Sequence, residues 1–166
     1  KYRVTDSGGF DLQRCLQVPG FDVPMGSSLE HADVFETSMD RVPVKVYLLG
    51  SRRYFNRSGI YDDPNTGEGY PDNMERFIFF MKAGLELLLR LESPVDIIHC
   101  HDSHTGLIPG LIHTNYQDEP FFSQTGTLFT IHNIAYQGIY PKEALYYAGI
   151  DLQHFYPLSP FEYWGQ

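Results

Sequence analysis

The 166-residue chain is poor in cysteine, in tryptophan and in basic side chains. Its two cysteines, Cys15 and Cys100, cannot make a disulfide framework, so stability has to come from an apolar core. Cys100 lies in an apolar run and reads as a small buried filler. Twelve Lys and Arg against 21 Asp and Glu leave a formal charge of −9. A surface of that sign lacks the clustered cations that phosphate backbones require, so no nucleic-acid partner is expected. No run reaches the roughly 18–20 apolar residues of a membrane span. The most apolar stretch, residues 77–91, is broken by Lys82, Glu86 and Arg90. A membrane partner is therefore not expected either. The opening residues show no basic-then-apolar leader, and a cytoplasmic protein is the expectation.

What the chain does contain is enough for one folded unit: 42% hydrophobic residues, above the level at which a chain stays disordered. Twelve Phe, 12 Tyr and one Trp make 15% aromatic. Two readings of that excess stand side by side, a bulky core and a sugar-binding surface, since aromatic faces stack on pyranose rings.

Local pattern organises the middle of the chain. Residues 2–4 suggest a short strand, and Asp6-Ser7-Gly8-Gly9-Phe10 reads as a plain turn, because it lacks the strand before and helix after that a phosphate loop needs. Residues 31–49 follow a period of two. Ala32, Val34 and Met39 precede an Asp40-Arg41 turn, and Val42, Val44, Val46 and Leu48 share a face after it, which predicts a β-hairpin. Residues 51–69 have no apolar period, and a loop of that length in a compact domain is functional or mobile. Pro71 and Asp72 suit a first helical turn. Met74, Phe77, Ile78, Met81, Leu85 and Leu88 then recur at helical spacing, with Glu75, Lys82, Glu86 and Arg90 off that face, until Ser93-Pro94.

Residues 95–100 form a short apolar run of the kind buried on both faces of a parallel sheet. A helical stretch over residues 105–113 and a second buried strand over residues 127–131 complete a βαβ unit. Residues 142–148 predict a short helix. The fold class is therefore α/β: a Rossmann-like parallel sheet with flanking helices, plus a β-hairpin.

In such sheets, ligands bind beyond the carboxyl ends of the strands. Asp102 closes one strand and His132 closes the next, 30 residues on. Adjacent parallel strands lie about 4.8 Å apart, so topology alone brings both side chains to one crest. His101 and His104 share that crest, and a functional role is expected for them. His99, deeper in the strand, reads as a satisfied core histidine; His113 and His154 read as surface or loop residues. The order His-x-His-Asp-x-His sets the aspartate one place early for a dinuclear metallo-hydrolase, so neither a metal nor any other cofactor is expected. A metal-dependent hydrolase and a non-catalytic glucan-binding module stay as competing classes.

These residues carry a resemblance. Residues 96–109, from Asp96-Ile97-Ile98-His99-Cys100-His101-Asp102 through Gly106-Leu107-Ile108-Pro109, followed by His132-Asn133-Ile134-Ala135-Tyr136-Gln137-Gly138, resemble the bacterial glycogen/starch synthases. These are retaining glycosyltransferases of the GT-B architecture. Val34-Phe35-Glu36-Thr37, Tyr54-Phe55-Asn56-Arg57-Ser58-Gly59-Ile60-Tyr61, Tyr70-Pro71-Asp72-Asn73 with Arg76-Phe77, and the closing Phe161-Glu162-Tyr163-Trp164-Gly165-Gln166 agree in order. The resemblance covers roughly residues 21–166.

It implies transfer of glucose from ADP-glucose or UDP-glucose to the non-reducing 4-hydroxyl of an α-1,4-glucan, with no metal. Its partners would be that nucleotide-glucose donor and the glucan acceptor. Residues 1–166 would be part of the N-terminal, acceptor-side domain. The C-terminal nucleotide-binding domain is outside the chain, and the piece alone is expected to be inactive. By position, His132 and Asp102 match the family's catalytic residues, while Asn133, Tyr61, His104 and Gln137 match substrate contacts. The chain departs from many members at Ser103, where they carry Trp.

Overall fold

A computed structural model describes residues 12–39 and 42–162. The suggested strand at residues 2–4, the turn at 6–10, Asp40-Arg41 and residues 163–166 lie outside that set. Two sheets share one core. The first is antiparallel, with β1 (Gln13–Arg14), β2 (Gly20–Met25), β3 (Ser28–Met39) and β4 (Val42–Gly50). The second is parallel, with β5 (Ile97–His101) beside β6 (Gly126–Thr130). Helix α1 (Asn73–Arg90) joins the two sheets, and α2 (Ile108–Thr114) and α3 (Ala144–Ala148) complete the layer. The α/β class, the hairpin and the parallel crossover are as the sequence predicts.

β3 and β4 form the expected hairpin, with Val34 opposite Leu49 and Phe35 opposite Leu48. Which face is inward differs from the pattern's suggestion. Val34 and Ala32 are fully buried and Tyr47 and Leu49 pack on the core, whereas Val44 and Leu48 are 46% and 38% exposed. Alternation sets the spacing of a strand but not its sign. β2 was hidden by Gly20 and Pro24, yet Phe21, Val23 and Met25 alternate inward and all three are buried.

α1 is buried almost all round. Beside Ile78, Phe79, Met81 and Leu85, it buries Arg76 and Lys82. Lys82, off the apolar face by the sequence pattern, is nonetheless inside the core. Its Nζ donates to the Pro24 and Tyr147 carbonyls, tying β2 to α3, and burial lowers its pKa. β5 also departs from expectation. Cys100 is buried at its end, and burial pushes its thiol pKa up, but Ile97 is 61% exposed and His99 is exposed. Among the described residues the parallel sheet has two strands, and α1 and α2 cover only one of its faces. His99, His101 and Leu128 lie on the other, open face, and β6, expected to be buried, is exposed along most of its length.

The segment between β4 and α1 has little regular structure but many ties. Arg57 holds the Asp72 carboxylate through two hydrogen bonds of 2.6 and 2.7 Å and donates to the Arg53 carbonyl. Asp62 and Gly69 form a single antiparallel bridge. Arg76 Nη2 donates to the Ile60 carbonyl, and Asn73 Nδ2 donates to the Tyr61 carbonyl at 2.9 Å. The first turn of α1 therefore grips the loop by its backbone on either side of Tyr61.

Candidate active site

The ends of β5 and β6 meet as topology predicts. His101 pairs with Thr130 in parallel register, and the Asp102 amide donates to the Thr130 carbonyl at 2.9 Å. Asp102 then turns back. Its Oδ1 accepts the His132 amide at 2.7 Å and the Asn133 amide at 3.4 Å. Those donors, the His132 amide first, hold its carboxyl below the usual carboxylate range, with the nearby His132 and His104 rings adding to the effect. The Asp102 backbone sits at φ 56 and ψ −179, a region that side chains with a Cβ rarely enter. The crest therefore stores strain, and the two amides on the carboxylate keep the turn in place.

A file of imidazoles runs along the open face. The His99 and His101 rings pack with centroids 4.1 Å apart and a tilt of 34°, and His101 and His132 lie near parallel at 22°. His99 Nε2 meets Thr130 Oγ1 at 2.7 Å, and His101 Nδ1 meets His132 Nε2 at 3.0 Å. His99 is therefore hydrogen-bonded but exposed, which corrects its reading as a core residue. Thr105 fixes the main chain beneath it: Oγ1 accepts the His101 amide at 2.6 Å and donates to the His101 carbonyl at 2.8 Å.

A second group stands on the α1 side. Tyr61, 51% exposed, lies 4.8 Å from the His104 ring, and Phe77 meets the same ring edge-on at 4.4 Å. Burial lowers the His104 pKa, partly opposed by Asp102. The loop of residues 131–139 is exposed throughout and shapes itself. Asn133 Oδ1 accepts the Ala135 amide at 3.0 Å, and Gln137 Nε2 donates to the Ile134 carbonyl at 3.2 Å. Gln137 also lines a largely apolar cavity of about 370 Å³, with Phe77, Ser103, Leu107, Phe129 and Gly138 among its walls. Among the described residues no group of three or more His, Cys, Asp or Glu is arranged to hold a metal ion.

A family model described as the starch synthase catalytic domain matches residues 1–166. The chain belongs to this family. Glycogen synthase of Geotalea daltonii is 40% identical over 165 residues, 99% of this chain and 33% of that protein. Glycogen synthase of Geotalea uraniireducens is 44% identical over 130 residues, 78% of this chain and 26% of that protein. The catalytic domain of starch synthase IV from Arabidopsis thaliana, solved with ADP and acarbose, matches with a TM-score of 0.72 at 25% identity. That match covers 89% of this chain and 28% of the plant chain. The fold is thus that of part of a GT-B starch synthase catalytic domain. This chain spans about a third of the length of its synthase relatives or less.

Within this synthase segment the structure sorts the site residues predicted from sequence into two groups. Asp102, His132 and Asn133 meet through the Asp102 carboxylate, and Tyr61 meets His104. Gln137 joins neither; its amide braces its own loop. His101 was expected at the crest without an assigned role, and the structure makes it the partner of the His132 ring; Asn73 and Arg76, the holders of the Tyr61 backbone, were not singled out as site residues. The alternation of His99 and His101 along β5 was visible in the sequence. The reach of His132 back to His101 was not, because it depends on how the chain leaves β6.

Proposed function

We propose that this segment is the acceptor-side, N-terminal part of a cytoplasmic glycogen or starch synthase. The whole enzyme would move glucose from ADP-glucose or UDP-glucose to the non-reducing 4-hydroxyl of an α-1,4-glucan with retention. The observation that carries this reading is the Asp102–His132 junction, where a strained strand end grips the loop that bears the family's histidine. The plant relative solved with ADP supports a nucleotide donor, since ADP remains when ADP-glucose gives up its sugar.

A retaining glycosyl transfer passes through an oxocarbenium-like state, which is stabilised by oriented hydrogen-bonding groups and fixed charge. His132 faces the donor glucose and holds it by a ring nitrogen, while its backbone is fixed by Asp102. The Asp102 carboxylate stays ionised and lends negative charge beside the developing cation. Asn133 adds a sugar contact. Tyr61 and His104 offer a flat, half-buried platform for a glucan ring, and Gln137 sets the loop between platform and crest. None of these roles calls for a metal.

The test is transfer of labelled glucose from each donor to glycogen by the full-length protein, followed by digestion with an enzyme specific for α-1,4 linkages. Label incorporated from one donor and released by that digestion supports the reading. A protein that binds maltooligosaccharide yet transfers from neither donor would instead be a glucan-binding module.

A further inference from the structure

We propose that His101 is a positioning residue for His132, the two imidazoles working as one hydrogen-bonded unit. This rests on the reading of His132 as the donor-sugar contact. His101 ends β5 opposite Thr130, the last residue of β6, and the chain leaving β6 brings the His132 ring back beside it. His101 Nδ1 lies 3.0 Å from His132 Nε2, with the rings 22° from parallel. On its far side the His101 ring rests on His99 at 4.1 Å, and His99 is itself fastened to Thr130 Oγ1 at 2.7 Å. Thr105 clamps the His101 main chain from both its amide and its carbonyl. His101 is thus fixed in position and can fix its neighbour.

The chemistry follows from the proton inventory. A neutral imidazole has one N–H and one lone pair, so a bond between two ring nitrogens holds a single proton. Either ring can donate in such a bond; we assign the proton to His132 Nε2, with His101 Nδ1 accepting it, which leaves His132 Nδ1 with its lone pair free to accept a substrate hydroxyl. Asp102 already holds the His132 backbone amide at 2.7 Å. Backbone and ring are then fixed independently, one by Asp102 and the other by His101. Without His101 the ring could turn about its side-chain bonds and exchange tautomers, although its backbone would stay in place.

The experiment uses the full-length protein with 15N-labelled histidine, the His132 signals being assigned by their loss in His132→Asn. Wild type should show His132 in one tautomer. His101→Phe keeps a flat ring against His99 but has no nitrogen. It should average the His132 tautomers and lower kcat about tenfold or more, with the KM for glucan within about twofold. His101→Asn places an amide where Nδ1 was, can donate or accept, and should recover kcat to within about threefold of wild type. The proposal is overturned if His101→Phe keeps kcat within about twofold, if Asn recovers nothing over Phe, or if the His132 tautomer is unchanged without His101. Should the Phe variant fail to fold, averaged His132 tautomers in wild type would overturn the proposal just as well. A wild-type protein that transfers no glucose refutes the proposed function alone, because the imidazole spectrum is read without turnover.

Discussion

Replacing Arg57 by Met should loosen residues 58–70 while leaving α1 intact. In the structure Arg57 makes two charge-assisted hydrogen bonds to Asp72 and one to the Arg53 carbonyl, and it lies over the Tyr70 ring at 4.7 Å. The side chains of Arg57 and Asp72 are 18% and 27% exposed, so water screens the pair only in part. Three hydrogen bonds to a charged group at about 1.5 kcal/mol each, cut by roughly half for that screening, leave about 2 kcal/mol. Since each 1.4 kcal/mol is about tenfold, amides that depend on this tie should exchange about 30-fold faster. Those of Asp63, Gly67 and Tyr70, all hydrogen-bonded within the loop, are the reporters. The effect also has a pH signature. Arg57 lowers the Asp72 pKa, so the tie contributes fully above the ordinary carboxylate value of about 4 and is lost as pH falls through Asp72's lower folded value. Wild type and Arg57→Met should therefore converge in acid. Exchange within about threefold of wild type at neutral pH, or an equal rise throughout α1, would refute the account.

His132→Ala in the full-length enzyme should lower kcat by at least about a hundredfold with little change in melting temperature, because the exposed ring contributes little to the core; near-normal turnover would remove it from the mechanism. Lys82→Met should cost about 1–2 kcal/mol in urea unfolding, since two carbonyls lose their donor while the burial of a charge is relieved; unchanged or increased stability would show that the desolvation cost dominates. Burial lowers the His104 pKa, so below about pH 6.5 the unfolded chain takes up more protons than the folded one and this group's share of stability falls with acidification. His104→Asn should flatten that part of the stability profile, and an unchanged slope would contradict it. Finally, chelator dialysis should leave turnover intact; stoichiometric zinc whose removal abolishes activity would point to the hydrolase class instead.

Much of this was readable from the residues, and what was missed has physical causes. The hairpin, α1 and the βαβ unit are carried by local periodicity, and the meeting of Asp102 with His132 follows from the rule that parallel neighbours end together. Periodicity could not say which side of β4 faces inward, because Val44 and Tyr47 are equally apolar candidates and only the position of α1 decides. It could not foresee Lys82 inside the core, since that position depends on two carbonyls from β2 and α3. The ties of the long segment before α1 were not legible because they run to side chains at the start of that helix, Asp72, Asn73 and Arg76, and follow no pattern of the segment's own. His101 was placed at the crest, but its role was not legible because its partner is a ring nitrogen 31 residues away.

The backbone of Asp102 restricts which residues position 102 can accept. Its φ of 56 with ψ of −179 is a conformation that glycine adopts freely and any residue with a Cβ only at a cost of about 1–3 kcal/mol. The amides of His132 and Asn133 set a different requirement, a short side chain with an acceptor oxygen. Glycine meets the first and has no acceptor; aspartate and asparagine meet the second, and the bonds to the two amides offset their strain. A saturation library at this one codon should therefore yield two foldable, loop-ordering solutions, and only aspartate among them keeps the negative charge. Comparing those two survivors separates the carboxylate's service as a fastener from its service as a charge, which no alanine scan of the crest can do.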